Sequence, residues 1–285
     1  MKTIKDIQSQ KSKTRITMLT AYDYPIASFL DEAGIDIILV GDSLANVVLG
    51  LESTTEVGMK EMLHHTRAVV RAVKNALIVG DMPFEAYQLN PRAAVDNARQ
   101  FIEAGAHAVK LEWFEDCAEV AAAIVKAGIP VMGHVGLTPQ TAEKLGGMKV
   151  QGKDAASAKS IIANAKAIEE AGCFSVVLEC IPKEVAEVIT KQLTIPTIGI
   201  GAGPHCDGQV LVVHDLLGLF TRYMPKFSKK YVDLGPQIIE AVKQYKQEVM
   251  SGQFPDAAHS FHLDPSVILP VIPAKAGIHD KNNLE

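Results

Sequence analysis

Cysteine is scarce in this chain. Cys117, Cys173, Cys180 and Cys206 are the four in 285 residues, and none forms a C-x-x-C pair. That spacing argues against a thiolate zinc site and against a disulfide framework, and it points to a reducing, cytoplasmic setting. No apolar run reaches the ~18 residues of a membrane span. The opening M-K-T-I-K-D-I-Q-S-Q-K-S-K lacks the apolar centre of a secretory signal. Lysines and arginines form no block and the formal charge is −5, so neither nucleic acid nor a membrane is an expected partner. No G-x-G-x-x-G follows the first strand, which leaves a doubly wound dinucleotide fold without its signature.

What is present is a repeated pattern in a chain that is 48% apolar and 21% charged. Ile37 to Ser43 reads I-I-L-V-G-D-S: four large apolar residues in a row, then a small glycine, then Asp42 and Ser43. Such a run cannot lie on one face of a sheet, so the strand is expected to be covered on both sides. L-I-V-G-D-M-P ends likewise on Asp81, A-V-K-L-E on Glu112 and S-V-V-L-E-C on Glu179. Four buried strands each deliver a carboxylate at the same end.

Between them the chain alternates strand, helix, glycine, strand, the rhythm of parallel βα units. Pro25 and Pro91 stand where helices begin; Gly34, Gly105 and Gly128 stand where they stop. Strands are expected at 15–22, 36–42, 77–83, 108–112, 131–135, 175–179, 197–200 and 209–213, with a last helix over 236–249. Eight strands in this length fit a (βα)8 barrel, with a doubly wound sheet as the alternative. The rhythm breaks once, in the glycine-containing stretch 137–153, which is either a flexible loop or a lid. Residues 1–262 read as one catalytic domain and 263–285 as an extension of unknown role.

A barrel brings the C-terminal ends of its strands to one mouth, so Asp42, Asp81, Glu112 and Glu179 are expected to share a pocket. Carboxylates so placed repel unless a cation or proton intervenes, and oxygen donors without a His/Cys cluster favour Mg²⁺. Lys110 interrupts an apolar strand two residues before Glu112, and an unpaired ammonium there would be costly. It is expected to pair with a carboxylate or an anionic substrate. His134 and Ser43 lie in the same layer, although His134 also reads as a core histidine bonded to backbone. A metal with a cationic, hydroxyl-bearing rim suits a small 2-oxo acid, whose α-proton a free carboxylate could remove. G-I-G-A-G (199–203) is either a phosphate cradle or a tight turn. His64, His65, Met59 and Met62 read as helix surface and packing.

At these residues the chain closely resembles the ketopantoate hydroxymethyltransferase family. The matching segments keep their order over residues 15–262: T-A-Y-D (20–23), V-G-D-S-L (40–44), D-M-P-F (81–84), V-K-L-E (109–112), G-H-V-G-L-T-P-Q (133–140), K-V-Q-G (149–152), L-E-C-I-P (178–182), G-I-G-A-G with D-G-Q-V-L-V (199–212), P-K-F (225–227) and H-S-F-H (259–262). The resemblance implies a (βα)8 barrel of the phosphoenolpyruvate mutase/isocitrate lyase type, Mg²⁺, and a homodecamer. It implies that Asp42 and Asp81 bind the metal with Glu112 in its surroundings. Asp42, Ser43, Asp81, Lys110 and His134 match substrate-binding positions, and Glu179 the catalytic base. The implied reaction transfers a hydroxymethyl group from 5,10-methylenetetrahydrofolate to 3-methyl-2-oxobutanoate through a Mg²⁺-stabilised enolate, in pantothenate synthesis. Ala45, L-E-S-T (51–54) and Met148 depart from the family's usual residues, which touches loop shape and the folate edge of the site. The rivals are a Mg²⁺-dependent lyase or mutase of 2-oxo acids and a non-catalytic binding barrel. Such lyases often carry a loop cysteine, and 137–153 has none.

Overall fold

The computed structural model describes residues 1–263. They fall into two compact units, Met1–Asp233 and the segment from Leu234 onward. The first is a closed barrel of eight parallel strands in sequence order: β1 (Ile16–Thr20), β2 (Ile37–Val40), β3 (Leu77–Asp81), β4 (Ala108–Lys110), β5 (Val131–Gly136), β6 (Ser175–Glu179), β7 (Thr197–Ile200) and β8 (Gly208–Leu211). The (βα)8 expectation holds. Ile37↔Leu77 and Val40↔Gly80 pair in parallel, which puts the ends of β2 and β3 side by side.

The helices start where local chemistry favours it. In α2 (Tyr24–Glu32) Asp23 accepts the Ile26 N–H and Pro25 opens the first turn; in α5 (Pro91–Glu103) Asn90 caps Ala93 ahead of Pro91. Further helices are α1 (Ile4–Ser9), α3 (Leu44–Val47), α4 (Met59–Ala72), α6 (Cys117–Lys126), α7 (Ala155–Glu170), α8 (Lys183–Gln192) and α9 (Val213–Leu217). Two cores result. Helix faces such as Met62, Val69, Phe101, Ile124 and Ile168 pack on the outside of the strands. Met18, Ile37, Leu39, Val79, Met132, Val177 and Ile198 fill the interior, and Ile7 of α1 packs with them. The interior is therefore packed rather than a pore, and functional side chains are left to the mouth.

After β2 the chain folds directly into α3. Two local expectations are corrected. The fourth strand ends at Lys110, so Glu112 stands two residues beyond it. The eighth strand stops at Leu211, not 213, because the Val213 N–H goes to Thr20 Oγ1 at 3.0 Å and the chain turns into α9.

The second unit begins with α10 (Leu234–Ser251), which covers the helix expected over 236–249 and buries none of its residues. A short turn, Ala257–His259, follows, capped by Asp256. The extension proposed from the sequence, apart from Leu263, lies outside the described residues.

Candidate active site

A cavity of about 380 Å³ opens at the C-terminal mouth, and Asp42, Ser43, Asp81, Lys110, Glu112, His134 and Glu179 all line it. Every site residue expected from sequence is thus brought together, from five different strands or strand ends. Gly136, at the end of β5, is what lets β6 approach. It has φ +100°, and a Cβ there would meet the Glu179 carbonyl oxygen at 2.3 Å.

Lys110 and Asp81 form the centre. The ammonium donates to both Asp81 oxygens, at 2.8 and 2.9 Å, with each side chain almost wholly buried. Burial works against the Lys110 charge, but Asp81, Glu112 and Asp42 outweigh it and raise its pKa. Asp81 is pushed up to about 6, first by burial and then by Asp42, against the pull of Lys110. Asp42 is likewise raised by burial and by Glu112. Its Oδ2 accepts from Gln140 Nε2 at 2.9 Å and, among the described residues, its Oδ1 accepts nothing.

His134 is not a core histidine bonded to backbone. Its imidazole stands between Glu112 Oε1 and Glu179 Oε2, with Nδ1 and Nε2 each 3.3 Å away, and neither contact is aligned as a full hydrogen bond. Burial and Lys110 push its pKa down, yet the two carboxylates prevail and carry it up to about 9. Glu179 keeps a side chain 14% exposed toward the cavity. Ser43 occupies a helix-start position but makes no capping bond; its Oγ meets the Tyr22 hydroxyl at 2.9 Å instead.

Sequence reasoning missed Gln140, which sits in a turn after β5 (Pro139–Thr141) and is buried. Its backbone N–H donates to Glu112 Oε2 at 3.0 Å, its amide nitrogen to Asp42 and to the Met82 carbonyl, and its amide oxygen accepts from Tyr87. It stands 98 residues from Asp42 in the chain. No periodicity marks it, and the only signal was its place in G-H-V-G-L-T-P-Q. Tyr87, Tyr22 and Asp215 were missed too. The G-I-G-A-G stretch forms a turn with positive φ at Gly201 and Gly203, against Phe227 and Lys183.

The donor set fits a divalent cation. Four carboxylates face two cationic side chains, which leaves two surplus negative charges where burial makes each expensive. Among the described residues no three His, Cys, Asp or Glu converge as a ready cage. Mg²⁺ does not need one, since it commonly takes one or two carboxylates and fills its shell with water and substrate.

The ketopantoate hydroxymethyltransferase family model matches residues 1–257. The chain belongs to that family. The family's relatives include the 3-methyl-2-oxobutanoate hydroxymethyltransferase of Syntrophus aciditrophicus (strain SB), 58% identical over 253 residues covering 88% of this chain and 93% of the relative. The enzyme of the same name from Syntrophomonas wolfei is 54% identical over 260 residues, covering 91% and 94%. A solved phosphonopyruvate hydrolase in complex with oxalate and Mg²⁺ superposes with TM-score 0.60 at 14% identity, covering 95% of each chain. A 2,3-dimethylmalate lyase of the phosphoenolpyruvate mutase/isocitrate lyase superfamily gives 0.58 at 14%, again covering 95% of each. At that identity the likeness is one of fold, a closed barrel of eight parallel strands with helices around it. As a member of the ketopantoate hydroxymethyltransferase family the chain is a transferase, and the lyase and pure-binder alternatives fall away. No helix among the described residues is long and apolar enough to cross a membrane.

Proposed function

We propose that this enzyme adds a hydroxymethyl group to C3 of 3-methyl-2-oxobutanoate, taking the carbon from 5,10-methylenetetrahydrofolate and water and releasing 2-dehydropantoate and tetrahydrofolate. The observation that carries the reading is the under-compensated charge around Lys110, in a cavity that also presents Glu179. Asp42 and Asp81 would hold Mg²⁺, with Glu112 beside them. When bound, the ion supplies Lewis-acid polarisation of the keto group and neutralises the surplus charge.

The remaining work falls to side chains. Lys110 and Ser43 bind the anionic end of the oxo acid, Lys110 as a buried ammonium and Ser43 through a hydroxyl oriented by Tyr22. Glu179 takes the C3 proton. The His134 imidazole stands 3.3 Å from Oε2 of that carboxylate, whose side chain also lines the cavity. The carbanionic C3 then bonds to the methylene carbon; its two C–N bonds to the folate break, water supplies the hydroxyl, and the two folate nitrogens take up the protons released from C3 and from water. Glu112 is tied to the Gln140 backbone and holds the other side of the imidazole. A cytoplasmic homodecamer is part of the same proposal, and sedimentation measures the assembly.

The test is NMR of 3-methyl-2-oxobutanoate in D₂O with enzyme and Mg²⁺ and no folate. The C3 proton should exchange, and Glu179→Gln, which keeps size but cannot take a proton, should slow exchange by about 10²–10⁴ while still binding the oxo acid. Exchange at the undiminished rate in the variant demotes Glu179 to a positioning role. No exchange in the unaltered enzyme removes the proton-abstraction step itself.

A further inference from the structure

The cavity extends beyond its charged floor. Val47, Leu51, Phe220, Tyr223, Pro225 and Phe227 form an apolar wall, supplied by the segments that follow β2 and β8. Arg222 ties the two segments together, donating to the Gly50 carbonyl at 3.0 Å and pairing with Glu52 at 3.4 Å. A five-carbon oxo acid held at Lys110 has no use for such a wall.

One charged group is set into it. Asp215, in α9, lines the cavity yet is only 7% exposed. Among the described residues its carboxylate receives a single hydrogen bond, from Ser228 Oγ at 3.3 Å, and no cationic side chain lies within ion-pair distance. Burial raises its pKa and outweighs the Ser228 hydrogen bond, which acts the other way. A buried carboxylate with one long hydrogen bond is costly, and such a group calls for a partner. The partner must be a donor that enters with a ligand, and it must be flat and largely apolar to fit the wall.

The co-substrate in the proposed reaction has such a part. The reduced pterin of a folate is a neutral bicycle with a flat pyrimidine ring, whose edge carries two parallel donors, the ring N3–H and the 2-amino group. Two parallel donors match the two oxygens of a carboxylate, the same fork geometry by which guanidinium groups engage carboxylates. We propose that the apolar wall is the pterin subsite and that Asp215 is the specificity-determining residue that reads the pyrimidine edge. This rests on folate being the one-carbon donor. The aromatic rim at Tyr223, 69% exposed, lies against the outer face of the ring. In this placement three of the unusual positions, Leu51, Glu52 and Met148, border the pterin rather than the oxo acid.

The test measures binding of tetrahydrofolate itself, under anaerobic conditions, to the full-length enzyme. Asp215→Asn replaces one acceptor by a donor and should weaken binding at least about tenfold, the loss expected for hydrogen bonds to a charged group. A second probe is 2-deaminotetrahydrofolate, which lacks one of the two donors. The unaltered enzyme should prefer tetrahydrofolate over it by about tenfold, and Asp215→Asn should lose that preference; a role in folding alone would leave it in place. Equal affinity of the unaltered enzyme for both probes overturns the assignment even if the variant does not fold. So does an unchanged tetrahydrofolate affinity in a folded Asp215→Asn. If the unaltered enzyme binds no tetrahydrofolate while oxo-acid exchange proceeds, the donor in the proposed reaction is wrong, and the subsite falls with it.

Discussion

The two ends of the barrel bury the same residue type and treat it in opposite ways. At the N-terminal end Asp31 accepts the N–H groups of Lys74, Asn75 and Ala76 at 2.8–2.9 Å and the Asn75 side chain at 3.0 Å. Asp36 accepts from the Thr17 N–H and hydroxyl and pairs with Lys2. Asp207 takes the Thr197 N–H and hydroxyl, the Ser12 N–H and the Lys11 ammonium. Burial raises the pKa of Asp31 and Asp36, but their donors outweigh it and the net direction is down. At the C-terminal end Asp42 and Asp81 are as deeply buried, have fewer donors and carry raised pKa values. Burial alone therefore does not mark a functional carboxylate. Burial with too few donors does.

The largest expected effect breaks the upper end. Asp42→Ala or Asp81→Ala should cut turnover by about 10³ or more, the several kcal/mol that a bound metal ordinarily supplies, while circular dichroism stays native. Titration calorimetry finding undiminished Mg²⁺-dependent oxo-acid binding in both variants would remove the metal assignment. The lower end should answer in stability instead. Asp31→Ala strands three backbone donors and should cost about 2–3 kcal/mol, read as a lower urea midpoint, with activity per folded molecule retained. Because the folded Asp31 pKa is lowered, its contribution is full above the unfolded value of 3.8 and fades as the pH falls through the folded value. A midpoint shift that survives equally at pH 2 would contradict this.

The smallest effect has the opposite sign. A carboxyl whose folded pKa is raised is stabilised by its proton. For Asp81 that contribution is full below 3.8 and lost as the pH climbs through about 6. Asp42, raised in the same direction, is also better tolerated neutral. Asp42→Asn should therefore raise Tm by about 2–4 °C, the shift expected from roughly 1 kcal/mol in a chain of this size, at pH 7.5 in chelator and not at pH 4. Added Mg²⁺ should then stabilise the unaltered enzyme and not the variant. A variant less stable than the parent at pH 7.5 would mean that Asp42 is satisfied after all, and the contrast between the two ends would dissolve.

The carboxylates of the site were legible because an apolar run makes its polar terminus conspicuous, and Lys110 because it interrupts one. All eight strands were legible for the same reason, helped by prolines and glycines at the helix ends. Gln140 and Asp215 were not. Gln140 gains its meaning from Asp42, Glu112 and Tyr87, which are distant in sequence, and a turn residue has no period to betray it. Asp215 was hidden by V-L-V-V-H-D, which reads as a continuing strand. The Val213 N–H goes to Thr20 and the chain turns into α9, which places Asp215 at the cavity.

The Gln140 bonds also set the mechanics of the loop that follows. At one end Gln140 is bolted to three strand ends; at the other the Gln151 N–H is bonded to the Cys180 carbonyl at 2.9 Å. Between the bolts, the backbone N–H groups of Lys144, Leu145, Gly146 and Gly147 bond only to carbonyls of residues 141–143, within the loop itself. Met148, at the outer part of this span, is 68% exposed and borders the cavity. The segment is thus fastened at both edges, while its middle is held by bonds of its own. The bonds that shape the entrance at Met148 are therefore separate from those that hold Asp42 and Glu112.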